Sequence, residues 1–557
     1  MNSFCSSAVS CKDRHAAAEA PSVGASSEAP PAIASGSFRA KISKDTPIGK
    51  AVEMYHEKMP SSTKRKYLSS MREGIRKGVH SSSTASGSED VSIGSACSGS
   101  EIAYICMEVI LNCICNILGL TAGIRHAFAC ESNPGKRAFI QAQFQPVHVF
   151  GDVAELTQRT AMCFVKNAPV QVPWCFFFLA GFSCKSRSSV SSKSAANVNC
   201  IQRQDMDTET SYTWEHTFAY IAKALPVIIL LENITALQQK PNDGSLSDCD
   251  YIIEQLRSLG YHVVLYRFDA ECLGSRASRW RLYFIGWLVR SGALTQGPFM
   301  SMVQGQFQWL EGFLDGFCIG PLPVDWFIAV DEATLAKFEK ISQIDLASHR
   351  RDTGEAWQTE HMEFYREKGF AWPVELHPGS AAISKLRSQG VIFQCKTLTS
   401  RQSELLFFCH QAFPRGVSCN TVEFLDVGPS MGRLFIADGD KSPWKIVSQT
   451  IVGASIMCVR YKQGDVIVVR DLLGVDMFNL IGFDSSFLIQ PAAIASSLLI
   501  NMGGNTVSAF AVAPMIMVAL AGAGIIDTLG VPPVEASDTD SVIDLFDDSS
   551  DSGEFMD

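Results

Sequence analysis

Phe176-Phe177-Phe178-Leu179-Ala180-Gly181-Phe182-Ser183-Cys184-Lys185-Ser186-Arg187-Ser188 sets an apolar run against a Gly-containing turn that carries one cysteine. A short apolar run that ends in small residues reads as a buried strand. Open α/β sheets bind ligands beyond the carboxyl ends of their strands, so this reading puts Cys184 in a cleft, where a thiol can serve as a nucleophile. Cysteine is also a common small core residue, and the chain has 18 of them. The position therefore gains its meaning from the segments that follow it.

Downstream, Val227-Ile228-Ile229-Leu230-Leu231 makes a second buried strand and delivers Glu232 to its end. An acid buried there suits a proton donor, whereas a turn cap is the plainer use. Further on, Gly274-Ser275-Arg276-Ala277-Ser278-Arg279-Trp280-Arg281-Leu282-Tyr283-Phe284-Ile285-Gly286 begins a third strand, with Arg279 and Arg281 alternating onto one face. Two guanidinium groups on one face suit phosphate or an anionic intermediate, although solvated strand ends look the same.

In this order the three segments resemble the motif blocks of the cytosine-5 DNA methyltransferase family, traceable from about Ile93 to Leu520. Ala180–Ser186 resembles the nucleophile block, Glu232-Asn233-Ile234 the glutamate block and Ser278-Arg279-Trp280-Arg281 the arginine block. Arg470-Asp471-Leu472 to Leu480-Ile481-Gly482-Phe483 resembles the block that closes the recognition domain, and Gly503-Gly504-Asn505-Thr506-Val507 the final cofactor block. The resemblance implies a Rossmann-like α/β sheet of the S-adenosylmethionine-dependent kind, interrupted by a mostly β target-recognition domain.

The cofactor side matches more loosely. Ile93-Gly94-Ser95-Ala96-Cys97-Ser98-Gly99-Ser100-Glu101 reads as strand, turn and helix start, which presents backbone N–H groups to a ligand. The family has Phe where this chain has Cys97 and a second Gly at Glu101. Two further strands end in acids, Glu131 and Asp152, of the kind that bind ribose hydroxyls and an adenine amino group. The resemblance thus implies S-adenosylmethionine held by Ser98, Gly99, Glu131, Asp152, Asn505 and Val507.

It also implies the chemistry. Cys184 adds at cytosine C6, Glu232 holds N3 and the exocyclic amine, and Arg279, with Arg281 beside it, steadies the base carbonyl and favours the thiolate. The target base must leave the helix to reach them, so base flipping is expected. Ser183, Lys185, Ala277, Asn479 and Asp484 depart from the family pattern, but none of these removes the nucleophile, the acid or the arginines. Two alternatives stay open: an RNA (tRNA) cytosine-5 methyltransferase, and a catalytically silent DNA- or chromatin-binding scaffold, which the changes at Cys97 and Glu101 favour.

Composition divides the 557 residues into five parts. Residues 1–88, rich in Ser, Ala, Pro and Lys, are expected to be mostly disordered with one short helix; Lys64-Arg65-Lys66 lies there as a nuclear signal, a DNA contact or a solvated helix face. Residues 89–290 form the first part of the catalytic domain, 291–465 the recognition domain, and 466–530 the return to the catalytic domain. Residues 531–557 are an acidic tail. In the recognition domain Arg350, Arg351, Lys385, Arg387 and Arg401 are candidate phosphate contacts.

The net charge of −10 opposes DNA binding until the tail is set apart: Glu535–Asp557 holds nine acids and no Lys or Arg, which leaves −1 for the rest. Within the tail, Val542, Ile543 and Leu545 stand among acids and serines as in a SUMO-interaction motif, which adds as a strand to a partner's sheet. Cysteine spacing indicates neither a metal site nor a disulfide framework. The start Met1-Asn2-Ser3-Phe4-Cys5 is no secretory signal, and an intracellular, nuclear enzyme is expected. Val507–Ile526 is long and apolar enough to cross a bilayer, but its small residues and the cofactor block before it favour a buried helix over a membrane span.

Overall fold

The computed structural model describes residues 45–86, 90–97, 99–185, 200–202, 209–242, 244–289, 307, 310, 317–343, 356–367, 369, 381–395, 398–413, 421–429, 442–451, 455–484 and 494–528. Two helices come first, α1 (Pro47–Lys58) and α2 (Ser61–Ser86). The catalytic part then runs β1 (Val91–Ala96), α3 (Ile102–Leu118), β2 (Ile124–Cys130), α4 (Pro134–Phe144), β3 (His148–Phe150), β4 (Thr160–Cys163), β5 (Ala168–Gln171), β6 (Phe177–Ala180), α5 (Glu209–Ala224), β7 (Ile228–Ile234), α6 (Asp248–Ser258), β8 (Tyr261–Asp269) and β9 (Trp280–Leu288).

Seven of these strands form one sheet in the order β3-β2-β1-β6-β7-β9-β8. All run parallel except β9, which lies antiparallel to both β7 and β8. Strands β6 and β7 are buried along their apolar lengths, as central parallel strands covered on both faces must be. One face carries α1, α2, α3 and the helix Ala509–Thr528, and the other carries α5 and α6. The β4–β5 pair is a separate antiparallel hairpin.

The N-terminal expectation fails over residues 47–86. Ile48, Val52, Tyr55, Tyr67, Met71 and Ile75 are buried in the main core, and the Tyr55 hydroxyl donates to the carbonyl oxygens of Leu273 and Phe510. Ser and Lys dominate the composition because they occupy the outer face, which hides a helical apolar stripe. Arg65 and Lys66 are exposed on α2.

The helix that α2 meets is Ala509–Thr528, α13 in chain order. Its stretch Ala509–Ile526 has a mean hydropathy of 2.3 and is buried throughout, so its apolar length serves the core. Gly74 of α2 and Gly524 of α13 let the two backbones touch. A Cβ at Gly74 would overlap the Leu520 carbonyl, and one at Gly524 the Ser70 carbonyl.

The inserted region is mixed rather than mostly β among its described residues. It contains α7 (Glu332–Ile341), β10 (Ser342–Gln343), α8 (Ala356–Glu367), α9 (Ala381–Ser388), β11 (Val391–Phe393), α10 (Ser400–Ala412), β12 (Val422–Asp426) and β13 (Met457–Gln463). With β14 (Val466–Asp471) it builds a sheet in the order β11-β14-β13-β12, so this unit continues past residue 465. Leu405-Leu406-Phe407-Phe408-Cys409 has the length and apolarity of a strand, yet it is helical because Thr399 and Gln402 form a capping box ahead of it. The chain returns through α11 (Gly474–Leu480), β15 (Ile494–Ala495), which pairs with β10, and α12 (Ser496–Asn505).

Candidate active site

The turn after β6 is held from three sides. Gly181 N–H donates to the Ala96 carbonyl at 3.3 Å, Ser183 N–H donates to Thr213 Oγ1 at 3.0 Å, and Asn233 Nδ2 donates to the Phe182 carbonyl at 3.0 Å. Phe182 packs on Trp214 of α5. Cys184 follows, partly exposed, where the sequence places it. Burial lifts its thiol pKa and Glu232 adds to the rise, while Arg281 and Arg279 pull it down without cancelling the lift. The arginines act on the thiol in the direction that the resemblance implies, toward the thiolate, while burial and Glu232 oppose them.

Glu232 ends β7 beside the reversed strand, and its cross-strand neighbour is Tyr283. Its Oε1 lies 3.0 Å from Arg281 Nε, with both side chains largely buried. The two arginines, alternate residues on one face, have different tasks. Arg279 is buried, with Nη1 donating to the Ile451 carbonyl at 3.0 Å and both Nη atoms donating to the Gly504 carbonyl at 3.2 Å. Burial, then the neighbouring Arg281, bring its pKa down to about 10. Arg279 thus braces the inserted region and the late glycine block against the sheet, and Arg281 faces the acid.

Among the described residues of the cofactor-side loop, Cys97 (φ 53°), Gly99 (φ 73°) and Glu101 (φ 59°) are left-handed. Gly99 packs on the late block, where a Cβ would sit 3.3 Å from the Asn505 carbonyl. Ser100 Oγ donates to Thr506 Oγ1 at 2.9 Å. Glu131 follows β2 buried, with Oε1 accepting from Asn133 N–H at 2.9 Å; burial raises its carboxyl pKa. Asp152 follows β3, and its Oδ1 accepts from Ala154 N–H and from the Tyr212 hydroxyl, each at 2.9 Å.

Gly181 is where the two sides meet. A Cβ built there would stand 3.4 Å from the Cys97 carbonyl, 3.7 Å from Glu232 Oε2 and 4.0 Å from Val507 Cγ1. Segments distant in sequence thus converge on one glycine. Of the expected residues, Ser98 lies outside the described residues, as do Arg350, Arg351, and Val542, Ile543 and Leu545 of the tail. Arg401 is spent on the carbonyls of Val427, Gly428 and Pro429, whereas Lys385 and Arg387 are exposed on α9.

Sequence reasoning missed Asn233, Thr213, Thr506 and Tyr212 as holders of the site. Asn233 and Thr506 sat inside recognised blocks and had that much signal. Thr213 and Tyr212 had none, because a helix brings them to the cleft.

A sheet with one reversed strand beside its edge, and a glycine loop after its first strand, is the framework of Rossmann-like methyltransferases, and the chain is of that class. More narrowly, it belongs to the C-5 cytosine-specific DNA methylase family, whose pattern matches residues 117–516. It is 28% identical over 196 residues, 34% of its length, to a DNA (cytosine-5-)-methyltransferase of Cryptococcus neoformans, and this match spans 7% of that relative's length. Similar solved structures include the S. pombe Dnmt2 methyltransferase, at 13% identity over 77% of this chain and 98% of that one, TM-score 0.34. The Entamoeba histolytica methyltransferase EhMeth is 10% identical over 77% and 98% of the two chains, TM-score 0.40.

Proposed function

We propose that the chain is a DNA (cytosine-5)-methyltransferase that acts on a flipped cytosine through a covalent Cys184 adduct. The observation that carries this is the junction at Gly181, where the nucleophile turn, Glu232, the cofactor-side loop and Val507 stand within 4.0 Å of one built atom. Gly99 against Asn505 makes a backbone cradle, and Glu131 and Asp152 at consecutive strand ends supply carboxylates for hydroxyl and amino groups. These residues fit S-adenosylmethionine, which when bound supplies an electrophilic methyl group. Gly99, Glu131, Asp152, Asn505 and Val507 would hold it.

Cys184 as thiolate adds to C6 of cytosine, and the C5=C6 electron pair shifts into the ring as Glu232 gives a proton to N3. Arg281 holds Glu232 Oε1 and offers its guanidinium to the base carbonyl; the expected role of Arg279 passes to it because Arg279 is bound to two main-chain carbonyls. C5, now nucleophilic, would take the methyl group from a donor held by Gly99, Glu131, Asp152, Asn505 and Val507, whose sulfonium sulfur would keep the electron pair of the broken S–CH3 bond and leave as a neutral thioether. A base then removes the C5 proton, C5=C6 re-forms and the Cys184 thiolate leaves. The same reading puts the protein in the nucleus with DNA as its partner, and gives the tail residues Val542, Ile543 and Leu545 to a SUMO-like partner; deletion of residues 535–557 should then abolish SUMO pull-down.

The test is incubation with labelled S-adenosylmethionine and duplex DNA containing 5-fluorocytosine, which blocks proton removal at C5. A labelled covalent adduct that Cys184→Ser abolishes supports the proposal. An adduct with the matching RNA alone replaces it by the RNA enzyme, and no adduct with either replaces it by the non-catalytic scaffold.

A further inference from the structure

Glu101 closes the cofactor-side loop with a left-handed backbone and a fully buried side chain. Left-handed geometry costs a non-glycine residue about 1–2 kcal/mol, so glycine would be the locally relaxed choice. A carboxylate must in addition be taken out of water, which is tolerated only with partners. The partners are present. Ser95 Oγ stands 2.8 Å from each carboxylate oxygen, in position to donate, and His126 Nε2 lies 3.1 Å from Oε2. Tyr104 stacks on the His126 ring, with centroids 4.8 Å apart, and fixes it.

Ser95 belongs to β1 and His126 to β2, so the Glu101 side chain ties the end of the loop to two adjacent strands. Cys97 opens the same loop in a left-handed conformation too, so Gly99 is suspended between two strained residues. Such strain persists where surrounding contacts over-determine it. The next residue, Ser100, is bonded to Thr506, which carries the constraint to the late block.

We propose that Glu101 is a positioning residue for the cofactor-side loop: its carboxylate, bonded to Ser95 and beside His126, fixes Cys97, Gly99 and Ser100 against Asn505 and Thr506 in the shape that receives the methyl donor. The inference rests on the reading of this loop as the donor site. On this account Glu101 is no degraded glycine; it replaces conformational freedom by a tether.

The experiment is calorimetric titration of the full chain with S-adenosylmethionine, alongside kcat at saturating donor. Glu101→Gly should weaken binding about tenfold or more, the effect of losing a hydrogen bond to a charged group, with kcat changed by less than about twofold. Ser95→Ala, a milder change, should weaken binding in the same direction. Glu101→Gln, which still accepts from Ser95, should stay within about threefold of wild type. Wild-type affinity in Glu101→Gly overturns the proposal. So does equal weakening in the Gly and Gln variants accompanied by an equal fall in Tm, which marks general destabilisation. Failure of the wild type to bind S-adenosylmethionine overturns the donor-site reading itself, and this inference with it.

Discussion

The two rims of the cleft are built on different principles. On the base side the groups are side chains at strand ends, with Glu232 and Arg281 joined by an ion pair across the reversed strand and Cys184 on the adjoining turn. On the proposed donor side the shape is mostly backbone, left-handed at Cys97, Gly99 and Glu101 among the described residues, with a glycine packed on a carbonyl, one hydroxyl pair and the Glu101 tether. Side-chain chemistry tolerates little substitution, because each group has one task. A backbone cradle can carry Cys97 and Glu101 in place of the family's Phe and Gly where other contacts hold the path of the chain, as Ser95 does at Glu101. The changes that favoured a silent scaffold from sequence fall on the tolerant rim.

If the rims are separable in this way, base-side variants should change turnover and donor-side variants should change binding. The largest effect is expected for Glu232→Gln, which on the proposed reaction removes the carboxyl group that serves N3. It should lower kcat by about 10²- to 10⁴-fold, with donor affinity by calorimetry unchanged. A comparable loss of donor affinity would break the comparison.

Next in size, the two arginines should part company. Arg281→Ala should lower kcat with little change in Tm. Arg279→Ala leaves the buried carbonyls of Ile451 and Gly504 without donors and should cost about 1–3 kcal/mol of stability, read as a fall in Tm. Equal Tm values for the two variants would reject the brace.

The pH dependence of Cys184 alkylation by iodoacetamide sharpens the base side further. Burial and Glu232 raise the thiol pKa, so the thiolate fraction, and with it the alkylation rate, should still be climbing above the ordinary thiol range near pH 8.5. Glu232→Gln removes one of the lifting charges and should move the curve to lower pH. Arg281→Gln removes an opposing charge and should move it to higher pH.

The smallest effect belongs to the donor side. Tyr212→Phe frees one oxygen of Asp152 from its orienting hydroxyl and should raise the KM for S-adenosylmethionine about threefold to tenfold at constant kcat. A fall in kcat at constant KM would place Tyr212 on the other rim.

Much of the sheet was legible because its central strands are buried on both faces and so appear as unbroken apolar runs, Phe176–Leu179 and Val227–Leu231 among them. Glu232 and Cys184 were legible for the same reason, as the first polar or reactive groups beyond those runs. The helices at 47–86 were not, since their apolar residues are spread through Ser- and Lys-rich sequence and their partner, α13, lies over 400 residues away. The helix nature of Leu405–Cys409 depended on a cap, a signal carried by residues outside the run.

The sequence by itself determined the order of strands and turns and the chemical groups at their ends, because burial and turn formation act over a few neighbouring residues. Only the tertiary structure decided which of two equivalent arginines meets the acid, that burial and Glu232 oppose the arginines at Cys184, and that a buried carboxylate stands at the left-handed end of the loop. Each of these depends on what distant segments bring together: the Ile451 and Gly504 carbonyls for Arg279, the charge of Glu232 near Cys184, and Ser95 with His126 beside Glu101.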